Sequence, residues 1–244
     1  MKKKAILCIV GILLVSIGYT LYPVLLRRSF ERYVDETIQQ FYESIEALRE
    51  EYRQAAIANP HNPGNIYDPM ERLHHRCIVF NWNMYFDSQI HLYDPFNFYH
   101  VNFNLQQLGQ DMDMVGYITI PTISLRLPVF LGTSHQNLNR GAAHLTHSSL
   151  PVGGQSSNAI IVAHRRVNHA PMFRDIGDLT LGDEITVTHF YGEIVYEVVE
   201  IRIISPQDVG TLTVQSDRNI ITLLTQHPRR RANMRLLVIA EAWD

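Results

Sequence analysis

Apolar residues are spaced differently in successive parts of the chain, and each spacing predicts a different element. From Ala5 to Leu26 the sequence AILCIVGILLVSIGYTLYPVLL carries no charge, and a run of that length can cross a bilayer as one helix. Lys2, Lys3 and Lys4 precede it, which favours a cytoplasmic N-terminus. A cleaved signal peptide is the competing reading. Against it, the run is longer than an ordinary h-region and no small-x-small site ends it before the flank Pro23 to Arg28. The pattern therefore predicts an uncleaved single-pass anchor in the cell membrane, with the rest of the chain outside the cytoplasm. No second apolar run of this length follows, so the chain is held at one end only.

From Ser29 to about Ala58 the period becomes helical. Val34, Phe41, Leu48 and Ala55 recur every seven residues, and Ile38, Ile45 and Tyr52 fill the alternate seam. One face is apolar, fit for a short coiled coil or for packing on the chain's own globular part. HNPGNIYDP, His61 to Pro69, then breaks the helix, and a shorter helical pattern runs from about Met70 to Phe86. YDPFNFYHVNF, Tyr93 to Phe103, suits neither helix nor strand. Leaving Phe96, Phe98 and Tyr99 in water would forfeit a few kcal/mol of burial, so the segment reads as a loop docked in a groove.

From Met114 the spacing shortens to strand-like runs: GYITIP, ISLRLPVFLG, NAIIVAH, DEITVTHF, EIVYEVVEIRII, NIITLLTQ and MRLLVIAEA. No long amphipathic helix alternates with them, and FRDIGDLTLGD, Phe173 to Asp183, is at most a short helix and a turn. This predicts a mainly β fold, a closed or nearly closed barrel of seven to eight strands rather than a βαβ fold. The whole then divides into an anchor over residues 1–28, a helical lead-in and loop segment over 29–110, and a β-barrel domain over 111–244.

Composition narrows the function. A formal charge of -3 gives no basic field for nucleic acid, and the triplet Arg229 to Arg231 reads as a solvated loop. Of the two cysteines, Cys8 lies in the anchor and Cys77 reads as a small buried hydrophobe, so no disulfide framework is expected. The histidines, His74 and His75 included, lack the spacing of a zinc site, and no metal or other cofactor is inferred.

Three polar residues stand at strand ends: His164 closes NAIIVAH, Gln226 closes NIITLLTQ, and Arg235 opens MRLLVIAEA. Singly, a histidine there is commonly structural and an arginine commonly caps a sheet edge. Together, with GYITIP, LPVFLGTSHQNL, GAAHLTHSSLPVGG, AIIVAHRR, MFRDIGDLTLGD, ITLLT and RLLV in order, the stretch from Met114 to Val238 resembles the class C sortases, the pilin-polymerising cysteine transpeptidases of Gram-positive cell surfaces. The resemblance implies a sortase-like barrel and places the family's catalytic histidine on His164, with HRR in place of HRG. It places the catalytic arginine on Arg235 and the nucleophilic cysteine on position 226, where TLLTQ ends in glutamine. The family's lid motif falls on Asp94, Pro95 and Phe96. Pilin subunits, LPxTG-type sorting-signal peptides or an active sortase are the partners implied.

In that family a thiolate attacks the threonyl carbonyl of the sorting signal, histidine protonates the leaving amine, and arginine with backbone N–H groups steadies the oxyanion. Gln226 has no thiol, its nitrogen lone pair is delocalised, and it is bulkier than cysteine. The leading expectation is a sortase fold without transpeptidase activity that binds pilin or sorting signal. The alternative is an active class C-like sortase whose nucleophile is altered in this chain or supplied elsewhere. Thr225 is adjacent, but neighbouring strand residues point to opposite faces, and Cys77 belongs to the helical lead-in. A third reading is a purely structural anchored barrel.

Overall fold

The computed structural model describes residues 2–59, 68–86, 92–97, 105–108, 112–167, 170–227 and 233–243, with the side chains of 2–10, 14, 107 and 108 outside that description. Three features read from the sequence lie outside it as well: the helix break over 60–67, the aromatic positions 98–103, and the arginine triplet Arg229 to Arg231.

Eight strands form the barrel. They are β1 (Met114–Ile120), β2 (Leu125–Leu131), β3 (Ala142–His144), β4 (Ser157–Val162), β5 (Glu184–His189), β6 (Glu193–Ile204), β7 (Asn219–His227) and β8 (Met234–Glu241). Their order around the closed sheet is β1-β2-β3-β4-β7-β8-β6-β5. The pairs β2/β3 and β4/β7 are parallel and the rest antiparallel. Closure leaves no edge strand.

The period of two decides what each strand residue meets. On β4, β7 and β8, Ile161, Ile221, Leu223, Leu236 and Val238 join the cluster that fills the barrel. Their neighbours Ile160, Val162, Leu224 and Leu237 face the other way and join a second apolar cluster with Leu92, Leu138, Leu145, Val209 and Leu212. These three strands are therefore buried on both faces, which is why their sequences read as nearly continuous apolar runs.

Two long helices flank the barrel. α1 (Lys2–Ala58) is one helix with Pro23 inside it, so the expected boundary at residue 28 falls within an unbroken element. Its stripe Val34, Ile38, Phe41 and Ile45 is buried with the main core, while Ala55 at the far end of the same stripe is exposed. The stripe thus packs on the chain's own barrel. Tyr42 reinforces the contact through its hydroxyl, 3.0 Å from that of Tyr117 on β1. Among the described residues no helix is long and apolar enough to cross a membrane.

α2 (Pro69–Phe86) opens with proline in its first turn, where no N–H is missed, and Asp68 Oδ1 accepts from the Met70 amide at 2.8 Å. Met70, Leu73, Cys77 and Asn81 form its buried face. Asn81 Nδ2 donates to the carbonyls of Leu150 and Gly153 at 3.0 and 3.1 Å, and its Oδ1 accepts from the Leu150 amide at 2.7 Å. That amide clamp satisfies a buried polar side chain and fixes the helix to the loop after β3.

Candidate functional site

The strand register brings three distant positions to one place. β4 and β7 run parallel with Val162 opposite Leu224, so the two chains reach His164 and Gln226 side by side. β7 and β8 run antiparallel with Gln226 directly opposite Arg235. Gln226 shares the parity of Leu224, Arg235 that of Leu237 and His164 that of Val162, so all three belong to the outer face of the barrel, above the second apolar cluster. The His164 Nδ1 to Gln226 Oε1 separation is 3.4 Å, a long hydrogen bond. An amide oxygen only accepts, so this contact calls for a proton on His164 Nδ1.

The lid segment closes over this trio. Leu92 anchors it in the outer apolar cluster, and the Asn97 amide donates to the Asp94 carbonyl at 3.2 Å, making a turn through Pro95 and Phe96. Asp94 accepts two hydrogen bonds from Arg235, from Nε to Oδ1 and from Nη2 to Oδ2, each 2.6 Å. Arg235 Nη1 also donates to the Met234 carbonyl at 2.8 Å. The two side chains are 3% and 2% exposed, so this is a forked ion pair sealed from water. The Phe96 ring lies 5.4 Å from the His164 ring and 5.1 Å from the Arg235 guanidinium carbon, within cation–π range. A cavity of about 280 Å³ separates the lid from the turn after β6, lined by Leu92, Tyr93, Asp94, Asn97, Pro206 and Gly210 with Gln207.

Burial is the main influence on His164 and holds its pKa below the ordinary imidazole value. The bond to Gln226 opposes that, and a nearby His135 charge adds to the lowering. His135 begins α3 (His135–Arg140), whose N-cap Ser134 accepts from the Asn137 amide. No periodicity marked it as part of the site. Arg165, within HRR, has no sequence signal of a site role either. It donates to the Arg174 carbonyl at 2.8 Å and to the Gln226 carbonyl at 3.4 Å, tying the loop after β4 to the end of β7. Arg166, where the family's HRG has glycine, is not at positive φ, so a side chain is accommodated there.

The two alternative nucleophiles are elsewhere. Thr225 is fully buried on the opposite face, and its hydroxyl donates to the Ala163 carbonyl at 2.7 Å. Cys77 is buried in α2 among core residues, and burial pushes its thiol up to about 12. Among the described residues, those in contact with Gln226, His164 and Arg165, hydrogen-bond to it, and Arg235 opposite pairs its charge with Asp94.

Comparison with known proteins agrees with this architecture. Residues 118–243 match the sortase domain family. Sortase D of Bacillus subtilis (strain 168) is 30% identical over 113 residues, 46% of this chain and 54% of its own. The chain spans about half the length of the curated relatives it matches. Among solved structures, sortase C2 of pilus island 1 from Group B Streptococcus superposes with a TM-score of 0.64 at 29% identity, over 70% of this chain and 98% of that one. Sortase C of Streptococcus pneumoniae gives 0.70 at 25% identity, over 86% and 97%.

Proposed function

Because the chain belongs to the sortase family, we propose that it is a class C-like sortase of Gram-positive pilus assembly that has lost cysteine transpeptidation and acts by binding pilin or a sorting signal. The observation that carries this reading is Gln226 itself, hydrogen-bonded to His164 and paired across the strands with Arg235. The similarity to pilus sortases supplies the partner class: pilin subunits, LPxTG-type peptides or an active sortase. An acyl intermediate needs a nucleophile beside the proton donor, and a carboxamide has neither a thiol to ionise nor a localised lone pair.

The alternative, an active sortase with its nucleophile elsewhere, has less support. Thr225 faces the other side of the sheet and Cys77 is enclosed in α2. A purely structural barrel leaves the bidentate lid contact and the packed His164 ring without a role.

The reading includes a single-pass anchor over Ala5 to Leu26, a run that takes in side chains outside the described residues, with the barrel outside the cell. Its support is that Ile12, Val15, Ile17, Tyr22 and Leu25 are exposed on α1, where lipid would cover what water disfavours.

The test is to incubate the full chain in detergent micelles with an LPxTG peptide and examine the protein by mass spectrometry. Binding detected by calorimetry with no mass added to the protein is the expected outcome. A covalent acyl adduct at any residue ends the reading.

A further inference from the structure

The recognition chemistry around Gln226 is built for a carboxylate, and in the closed state the chain supplies one itself. Arg235 is the charged group at the centre of the site, and its Nε and Nη2 hold both oxygens of Asp94 at 2.6 Å in a space almost closed to water. Phe96 lies against the same guanidinium and against His164. Opposite Arg235 on the paired strand stands Gln226, whose Nε2 carries two further N–H donors where a cysteine would carry a nucleophile.

We infer that, with the lid displaced, this cleft takes the free C-terminal carboxylate of a peptide in preference to an intact peptide bond, Asp94 being the intramolecular occupant of the same position. The inference rests on the peptide-binding reading above and names what is bound: the acid end of an already cleaved signal. The physical basis is the difference between the two ligands. A carboxylate gives arginine two anionic oxygens for a forked ion pair, whereas an amide gives one neutral carbonyl oxygen and no charge to balance the guanidinium. Removing the nucleophile removes any need to hold the scissile bond, while an added amide donor suits a planar anion. Asp94 competes as a tethered ligand at high effective concentration, so the wild-type chain binds weakly and weakening the lid strengthens binding.

The experiment measures fluorescence anisotropy of the full chain in micelles with three probes: Leu-Pro-Glu-Thr as the free acid, the same peptide as its C-terminal amide, and Leu-Pro-Glu-Thr-Gly amide. Acetate is the competitor. In Asp94→Asn the free acid is expected to bind at least about tenfold more tightly than either amide and than it binds wild type. Arg235→Gln in that background should erase the preference. Phe96→Ala, which keeps Asp94, should show the same preference more weakly and serves if Asp94→Asn does not fold. Equal affinity for acid and amides overturns the carboxylate assignment and leaves peptide binding standing. Acetate displacing the acid peptide at equal concentration reduces the site to one for small anions and also overturns it. No binding of any probe to either lid variant removes the peptide-binding reading itself.

Discussion

Asp94 in the lid and Arg235 at the start of β8 are 141 positions apart in sequence and meet through two 2.6 Å hydrogen bonds. A buried ion pair adds little over an apolar pair of the same shape, yet removing one partner strands the other charge. Asp94→Ala should therefore cost up to about 3 kcal/mol in denaturant unfolding, limited by how readily the lid lifts and lets water reach Arg235. Amide exchange over 92–97 should rise in the same variant. Asp94→Leu combined with Arg235→Met should recover most of the loss. An Asp94→Ala chain with unchanged stability and unchanged exchange contradicts the latch.

Cys77 offers a second check on which groups are available for chemistry. With its pKa pushed up to about 12 by burial, the thiolate fraction at pH 8 is of order one in ten thousand. Iodoacetamide should leave Cys77 unmodified for hours in the native chain and label it promptly in denaturant, read by peptide mass spectrometry. Rapid native labelling would mean that α2 leaves the barrel often enough to make this thiol a candidate nucleophile after all.

Two buried histidines set an acid limit on stability. His189 at the end of β5 and His144 on β3 are both pressed down to about 4, first by burial, with the charges of His74 and His147 respectively acting in the same direction and carbonyl bonds from Ser148 and Ser149 opposing it at His144. The unfolded chain protonates near 6.5 and the folded one near 4, so between these values the unfolded state holds more protons. Stability is therefore full above about pH 6.5 and falls as pH drops towards 4, by about 2 kcal/mol per histidine at pH 5. The loss between pH 7.5 and pH 5 should shrink by about that amount in His189→Asn, whatever its absolute stability. An unchanged loss would show that His189 is not held neutral.

Much of this architecture is visible in the spacing of residues, and the exceptions have physical causes. The seven runs read as strands are strands, because alternation or continuous apolarity marks them. β3, Ala142–His144, was missed, since three residues cannot display a period. His164, Gln226 and Arg235 stand out in the sequence as polar residues at the ends of apolar runs and through the resemblance to the family's motifs, and the strand register brings the three together. The partner of Asp94 had no local signature. Nor did His135, which begins a short helix instead of ending a strand and reaches His164 only through the fold. The α1 stripe also promised more contact than it makes: Val34 to Ile45 are buried, whereas Ala55 extends past the barrel.

Restoring the thiol tests whether the frame around position 226 is that of a transpeptidase. In Gln226→Cys the sulfur replaces Cγ and so falls two bonds short of the oxygen that touches His164 Nδ1 at 3.4 Å. The thiol fits without collision but begins away from the imidazole, under a lid held by Asp94. Acylation by an LPxTG peptide should therefore be detectable but slow, against none in wild type, since loss of a nucleophile costs several orders of magnitude. The balanced step forms a thioester to the threonyl carbonyl, breaks its bond to glycine, and passes the proton through His164 to the departing amine. Adding Asp94→Asn should accelerate it by freeing Arg235 for the oxyanion. His164→Ala, or Arg235→Gln in the Asp94→Asn background, should return it to the wild-type level. A folded Gln226→Cys chain that gains no adduct in either lid state would show that more than a thiol has been lost, and that the similarity to active pilus sortases stops at the fold.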